Sequence, residues 1–129
     1  MIVVDTSVWV DYFRGRDEAL VARIHDLLDA GQVLLPIAVK VELLGGASKE
    51  LRPRLKRALG ALRVLYPSTS TWKRMERWTE QASAAGHRFG VGDLLIAALA
   101  ADAEAPVWSL DSDFGRMASL GFVGTSSGA

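Results

Sequence analysis

Asp5, Glu42, Asp93 and Asp111 are the residues of this sequence best placed to do chemistry. Asp5 ends the apolar run Met1-Ile2-Val3-Val4, and Asp111 ends a second one, Val107-Trp108-Ser109-Leu110. Asp93 opens a stretch, Leu94 to Ala103, that is apolar nearly throughout. Glu42 interrupts Val39 to Leu44, where a charge needs a partner. Carboxylates brought together repel and raise one another's pKa, and a divalent cation removes that repulsion. There is no cysteine, and His25 and His87 have no ligand-like spacing, so a metal here must be held by carboxylates. All-oxygen ligands favour Mg²⁺ or Mn²⁺ over zinc. Such clusters do metal-assisted phosphoryl chemistry: one ion activates a water, and a second roughly 3.5–4 Å away can stabilise the leaving oxygen.

Each acid also has an ordinary explanation. Asp5 suits a turn after a strand, with Thr6 and Ser7 as helix caps. Asp93 suits an N-cap. Asp111 and Asp113 together suit the start of a last helix, and Glu42 can point outward between Val41 and Leu43. All four explanations must hold at once for the pattern to mean nothing.

The elements that would position these acids alternate between strand and helix. Strands are expected at 1–4, 33–35, 64–66 and 107–110, with a further edge strand at Phe122-Val123. Between them the spacing predicts a short helix stopped near Gly15, and a longer one over 18–30 with Gly31 as its stop. Ile37 to Leu44 reads as a helix ended by Gly45-Gly46, and Ser48 to Leu62 as a basic helix with Pro53 in its first turn. Helices over 70–85, 94–103 and 112–120 complete the set, and the polar segment 124–129 is expected to fray. Strand–helix alternation without hairpin signals indicates one α/β domain with a central, mainly parallel sheet of four to five strands, covered on both faces. In such sheets ligands gather at the carboxyl ends of the strands.

Composition agrees with a folded chain of one domain. Half of the 129 residues are apolar and 23% are charged, which excludes a disordered chain. Asp5 interrupts the first apolar run too early for a signal peptide, and Asp93, Asp102 and Glu104 argue against a membrane span. A soluble, cytoplasmic protein is the expectation. Net charge is zero, but Lys49, Arg52, Arg54, Lys56, Arg57 and Arg63 face a single acid, Glu50, over 49–63. Both a solvated helix face and a phosphate-binding surface fit that segment.

Four pieces, in order, give the chain a family resemblance: Ile2-Val3-Val4-Asp5-Thr6-Ser7-Val8-Trp9, Val41-Glu42-Leu43-Leu44-Gly45-Gly46, Gly92-Asp93-Leu94-Leu95-Ile96-Ala97-Ala98 and Ser109-Leu110-Asp111-Ser112-Asp113-Phe114. The sequence resembles PIN domains, and among them the VapC-type toxins of bacterial toxin–antitoxin modules. The resemblance implies a three-layer α/β/α sandwich and an acidic pocket for Mg²⁺ or Mn²⁺. It implies single-strand endoribonuclease activity, an RNA substrate, a cognate antitoxin and a homodimer. By position it makes Asp5, Glu42, Asp93 and Asp111 the metal-binding acids, with Ser7 or Thr6 holding a metal-bound water. Asp113 competes with Asp111 for the fourth place, and Asp111 is preferred because it directly ends a strand. Ser109 stands where relatives often have threonine.

Two other readings, the first of which also uses an aspartate after the first strand, fit less well. A haloacid dehalogenase-type phosphatase needs an acid where Ser7 stands, and a receiver-like phosphoacceptor needs a lysine that Ser109-Leu110-Asp111 does not offer. The remaining alternative is a catalytically inert PIN-like module that binds RNA or protein, against which the intact acid set argues.

Overall fold

Ile2-Val3-Val4 and Val33-Leu34-Leu35 are apolar at every position because both faces of the sheet they form are covered. In the computed structural model, which describes residues 1–128, they are β1 (Ile2–Val4) and β2 (Val33–Pro36). With β3 (Arg63–Leu65) and β4 (Val107–Trp108) they make one sheet in the order β3-β2-β1-β4. Every pairing is parallel, so all four strands end at the same edge. Among the described residues seven helices flank the sheet, giving the three-layer α/β/α arrangement: α1 (Thr6–Arg14), α2 (Glu18–Asp29), α3 (Ile37–Gly46), α4 (Arg52–Leu59), α5 (Thr69–Ala84), α6 (Val91–Asp102) and α7 (Ser112–Ser119).

The core explains why α6 is apolar nearly all round. Leu94, Ile96, Ala97, Ala98, Leu99 and Ala100 are all buried, and the helix meets α3, α5, α7 and β2. Its alanines let these neighbours approach closely. Thr71, wholly buried at the start of α5, donates its hydroxyl to Asp102 at the end of α6, and Arg74 pairs with the same carboxylate at 3.1 Å. The two longest-packed helices are thereby pinned at one end.

Several boundaries differ from expectation. Gly45 and Gly46 are the last two residues of α3 rather than the first two beyond it. The basic helix is shorter than 48–62, because only Leu55 and Leu59 of α4 have an apolar surface to bury. β4 stops at Trp108, so Asp111 lies three residues beyond the strand instead of directly ending it. Phe122 and Val123 are buried without forming a strand; Phe122 stacks on Trp78 with ring centroids 4.5 Å apart. The segment after them does not leave the fold. Val107 donates to the Gly124 carbonyl at 2.9 Å, Ser126 donates to the Val107 carbonyl at 3.0 Å, and Thr125 forms a parallel bridge with Val107. Ala129, the last residue of the expected frayed tail, lies outside the described residues.

Candidate active site

Register puts the first acid at the centre of the sheet edge. Val4 pairs with Trp108, so Asp5 and Ser109 emerge side by side from β1 and β4. Asp5 is buried and caps α1, where its extended backbone suits an N-cap. Its Oδ2 accepts the Ser109 hydroxyl at 2.7 Å and the Ser7 hydroxyl at 2.8 Å, with a long contact from the Ser7 amide at 3.4 Å. Both serine protons are thus spent on Asp5. The two Oγ atoms lie 3.3 Å apart without a proton to share. Their lone pairs take the next amides of the loop: Leu110 donates to Ser7 at 3.0 Å and Asp111 to Ser109 at 2.9 Å. One buried carboxylate therefore organises the turn that carries Asp111.

Asp111 does cap the last helix, accepting the Asp113 amide at 2.9 Å. That duty occupies one oxygen. Asp93, by contrast, is no N-cap: Gly90 holds that position, and Asp93 sits in the first turn of α6. The placement brings one carboxylate oxygen each of Asp93, Asp111 and Asp113 within 4.8 Å of one another. Asp113 is held in turn by Arg116, whose Nη1 donates to its Oδ1 at 2.7 Å and to the Ser112 hydroxyl at 3.0 Å.

Electrostatics extends the cluster to Asp5 and Glu42. Burial pushes the Asp93 carboxyl up to about 6, helped by the charges of Asp111, Asp5, Asp113 and Glu42. Burial and the Asp5 charge also raise Glu42, while the nearby Thr6 hydroxyl opposes the shift, although no hydrogen bond of standard geometry joins the two. Glu42 is exposed on its solvent side. On the other side it and Thr6 line a cavity of about 250 Å³, otherwise walled by Val10, Phe13, Leu43 and Leu55 among others, which accounts for the desolvation. Asp93 therefore feels the charge of all four other acids singled out in the sequence.

The sequence gave no warning of Arg116 as part of this group, although Asp113 and Arg116 stand at the i,i+3 spacing of a helical ion pair. Ser109, where relatives often have threonine, keeps the hydroxyl that reaches Asp5. Its hydrogen bond to Asp5 spans 104 residues, a relation no local spacing reveals.

Fold and site together define a parallel α/β/α domain with a carboxylate cluster at the carboxyl edge of its sheet. The PIN domain family profile matches residues 2–120, and the chain belongs to that family. Over 125 residues it is 30% identical to VapC ribonuclease Mb1587 of Mycobacterium bovis and to ribonuclease VapC11 of Mycobacterium tuberculosis, covering 93% of this chain and 93% of each relative. VapBC2 from Rickettsia felis, solved bound to a DNA fragment from its promoter, shares the fold with a TM-score of 0.79. It is 18% identical, and the match covers 98% of both chains. FitAB bound to an IR36 DNA fragment matches with a TM-score of 0.78 at 21% identity, covering 98% of this chain and 94% of that one.

Proposed function

We propose that the protein is a Mg²⁺- or Mn²⁺-dependent endoribonuclease acting on single-stranded RNA, the toxin of a bacterial toxin–antitoxin pair. The observation that carries this reading is the meeting of Asp93, Asp111 and Asp113 within 4.8 Å, beside the buried Asp5. The names of the curated relatives support the ribonuclease assignment. Neighbours that include a toxin–antitoxin complex from Klebsiella pneumoniae support an antitoxin partner. No helix among the described residues is long and apolar enough to cross a membrane, and we place the protein in the cytoplasm, as a homodimer.

The donors suit a hard divalent cation. They are oxygens only, and all the hydrogen bonds to Asp5 converge on Oδ2, leaving Oδ1 available. Asp93, Asp111 and Asp5 would hold the ion, with Asp113 and Glu42 beside them. When bound, the ion supplies Lewis-acid activation of a water and neutralises charge on the phosphodiester. The protein's own groups set the conditions. Ser7 and Ser109 orient the Asp5 carboxylate by donating to its Oδ2. Asp93 must release its proton before it can serve as a ligand. Glu42, with its raised proton affinity and open side, is suited to take a proton from water.

The test is cleavage of single-stranded RNA by the purified protein with Mg²⁺, with Mn²⁺ and with chelator, beside folded Asp93→Asn. Cleavage should require the metal and vanish in the variant. Undiminished cleavage with chelator or by Asp93→Asn refutes the assignment.

A further inference from the structure

Three ion pairs occur among the described residues, and only one of them engages an acid of the site. That pair is Arg116 with Asp113. The guanidinium Nη1 has two acceptors, Asp113 Oδ1 at 2.7 Å and Ser112 Oγ at 3.0 Å, so it is anchored in one orientation on α7. About half of the Arg116 side chain remains exposed, 49% against 33% for Asp113, leaving it a path to swing into solvent. Asp113 thus faces two ways: towards Arg116, and towards the oxygens of Asp93 and Asp111.

We propose that Arg116 is a positioning residue that acts through Asp113, serving as the acid cluster's own counter-cation. It holds Asp113 at the rim of the site, so that a divalent cation gains this carboxylate only in exchange for the arginine. The inference rests on the metal-dependent reading above. Two consequences follow from charge. A positive group in contact with the cluster opposes an incoming cation. It also withholds one of the available carboxylates. Arg116 therefore weakens cation binding while making Asp111, rather than Asp113, the ready ligand.

The experiment is calorimetric titration of the metal-free protein with Mn²⁺, with folding checked by circular dichroism. Wild type, Arg116→Gln, Arg116→Lys, Asp113→Asn and the Arg116→Gln/Asp113→Asn double variant are compared. Arg116→Gln should bind Mn²⁺ more tightly by on the order of fivefold, the scale of a partly exposed charge pair. Arg116→Lys should stay near wild type. In the Asp113→Asn background the Arg116→Gln effect should shrink to the residual through-space repulsion, since the partner through which it mainly acts is gone. Unchanged or weaker binding by Arg116→Gln overturns the proposal. So does an equal gain in the Asp113→Asn background, which marks a diffuse surface-charge effect. No Mn²⁺ binding by any of the five proteins, with or without RNA, overturns the metal-dependent reading and this assignment with it. Binding by the wild type alongside an unmoved Arg116→Gln overturns only the latter.

Discussion

Ser109 Oγ donates to Asp5 Oδ2 at 2.7 Å and accepts the Asp111 amide at 2.9 Å, joining the ends of β1 and β4 through one hydroxyl. Ser109→Ala leaves a buried carboxylate oxygen and a loop amide each short of a partner. It should lower stability by about 1–3 kcal/mol, and Ser109→Thr, which keeps the hydroxyl, should lose much less. Chemical denaturation of the three proteins checks this; equal stability of the alanine and threonine variants contradicts it.

The raised Asp93 carboxyl makes stability depend on pH in a defined direction. A carboxyl whose folded pKa of about 6 exceeds its unfolded value of 3.8 binds its proton more tightly in the folded state. Its contribution is therefore greatest below about pH 4 and is lost as pH rises through 6. In metal-free protein, Asp93→Asn should gain stability relative to wild type as pH climbs from about 4 to 7. Denaturation at both pH values tests this, and a constant difference between the two proteins would refute it.

Bound cation should reverse that penalty. Mg²⁺ or Mn²⁺ at a hundredfold excess over its dissociation constant stabilises a folded protein by about 2.7 kcal/mol. The melting temperature should rise accordingly near neutral pH. The rise should shrink at roughly pH 5, where Asp93 retains its proton, and be largely absent in Asp93→Asn. Thermal melts with chelator and with metal at the two pH values measure it.

Asp111→Asn separates ligand from cap. Asparagine caps a helix about as well as aspartate, so α7 should keep its N-terminus while the site loses a charge. Cleavage should fall more than in Asp113→Asn, whose carboxylate is already engaged by Arg116. A side-by-side cleavage assay giving the reverse order reassigns the fourth acid.

The basic segment offers a separate measurement. Arg52, Arg54 and Arg57 are exposed on α4 and make no ion pair among the described residues. If they contact RNA phosphates, reversing all three charges should flatten the dependence of RNA affinity on salt. An unchanged slope in a binding titration leaves the segment a solvated face.

Much of this architecture was readable because strand and helix periods differ. Unbroken apolar runs at 2–4 and 33–35 announced strands buried on both sides, and Gly15 stops α1 in the left-handed conformation its position suggested. What failed was punctuation that packing overrides. Gly45 and Gly46 continue α3 because a weak helix former still extends a helix that is otherwise supported. Asp93 resembled a cap, but the N-cap lies three residues earlier at Gly90, and that shift places the acid in the first turn beside its partners. The acids themselves were legible from their positions at apolar boundaries. Their mutual approach and the serine ties beneath Asp5 depend on segments far apart in the chain, which spacing does not encode, whereas the arginine on Asp113 stands at a helical ion-pair spacing.

The bridge at Thr125 has a bearing on association. A parallel sheet ends in two strands with unpaired backbone groups, each a template for another chain. β4 is one of them, only two residues long, and the chain's own residues 124–126 occupy both the amide and the carbonyl of Val107 on its outer side. Strand addition is therefore blocked beside the loop that carries Asp111. The other outer strand, β3, begins with the exposed Arg63, whose charge discourages stacking of like edges. Joining of two sheets next to the acids is therefore disfavoured on both outer strands.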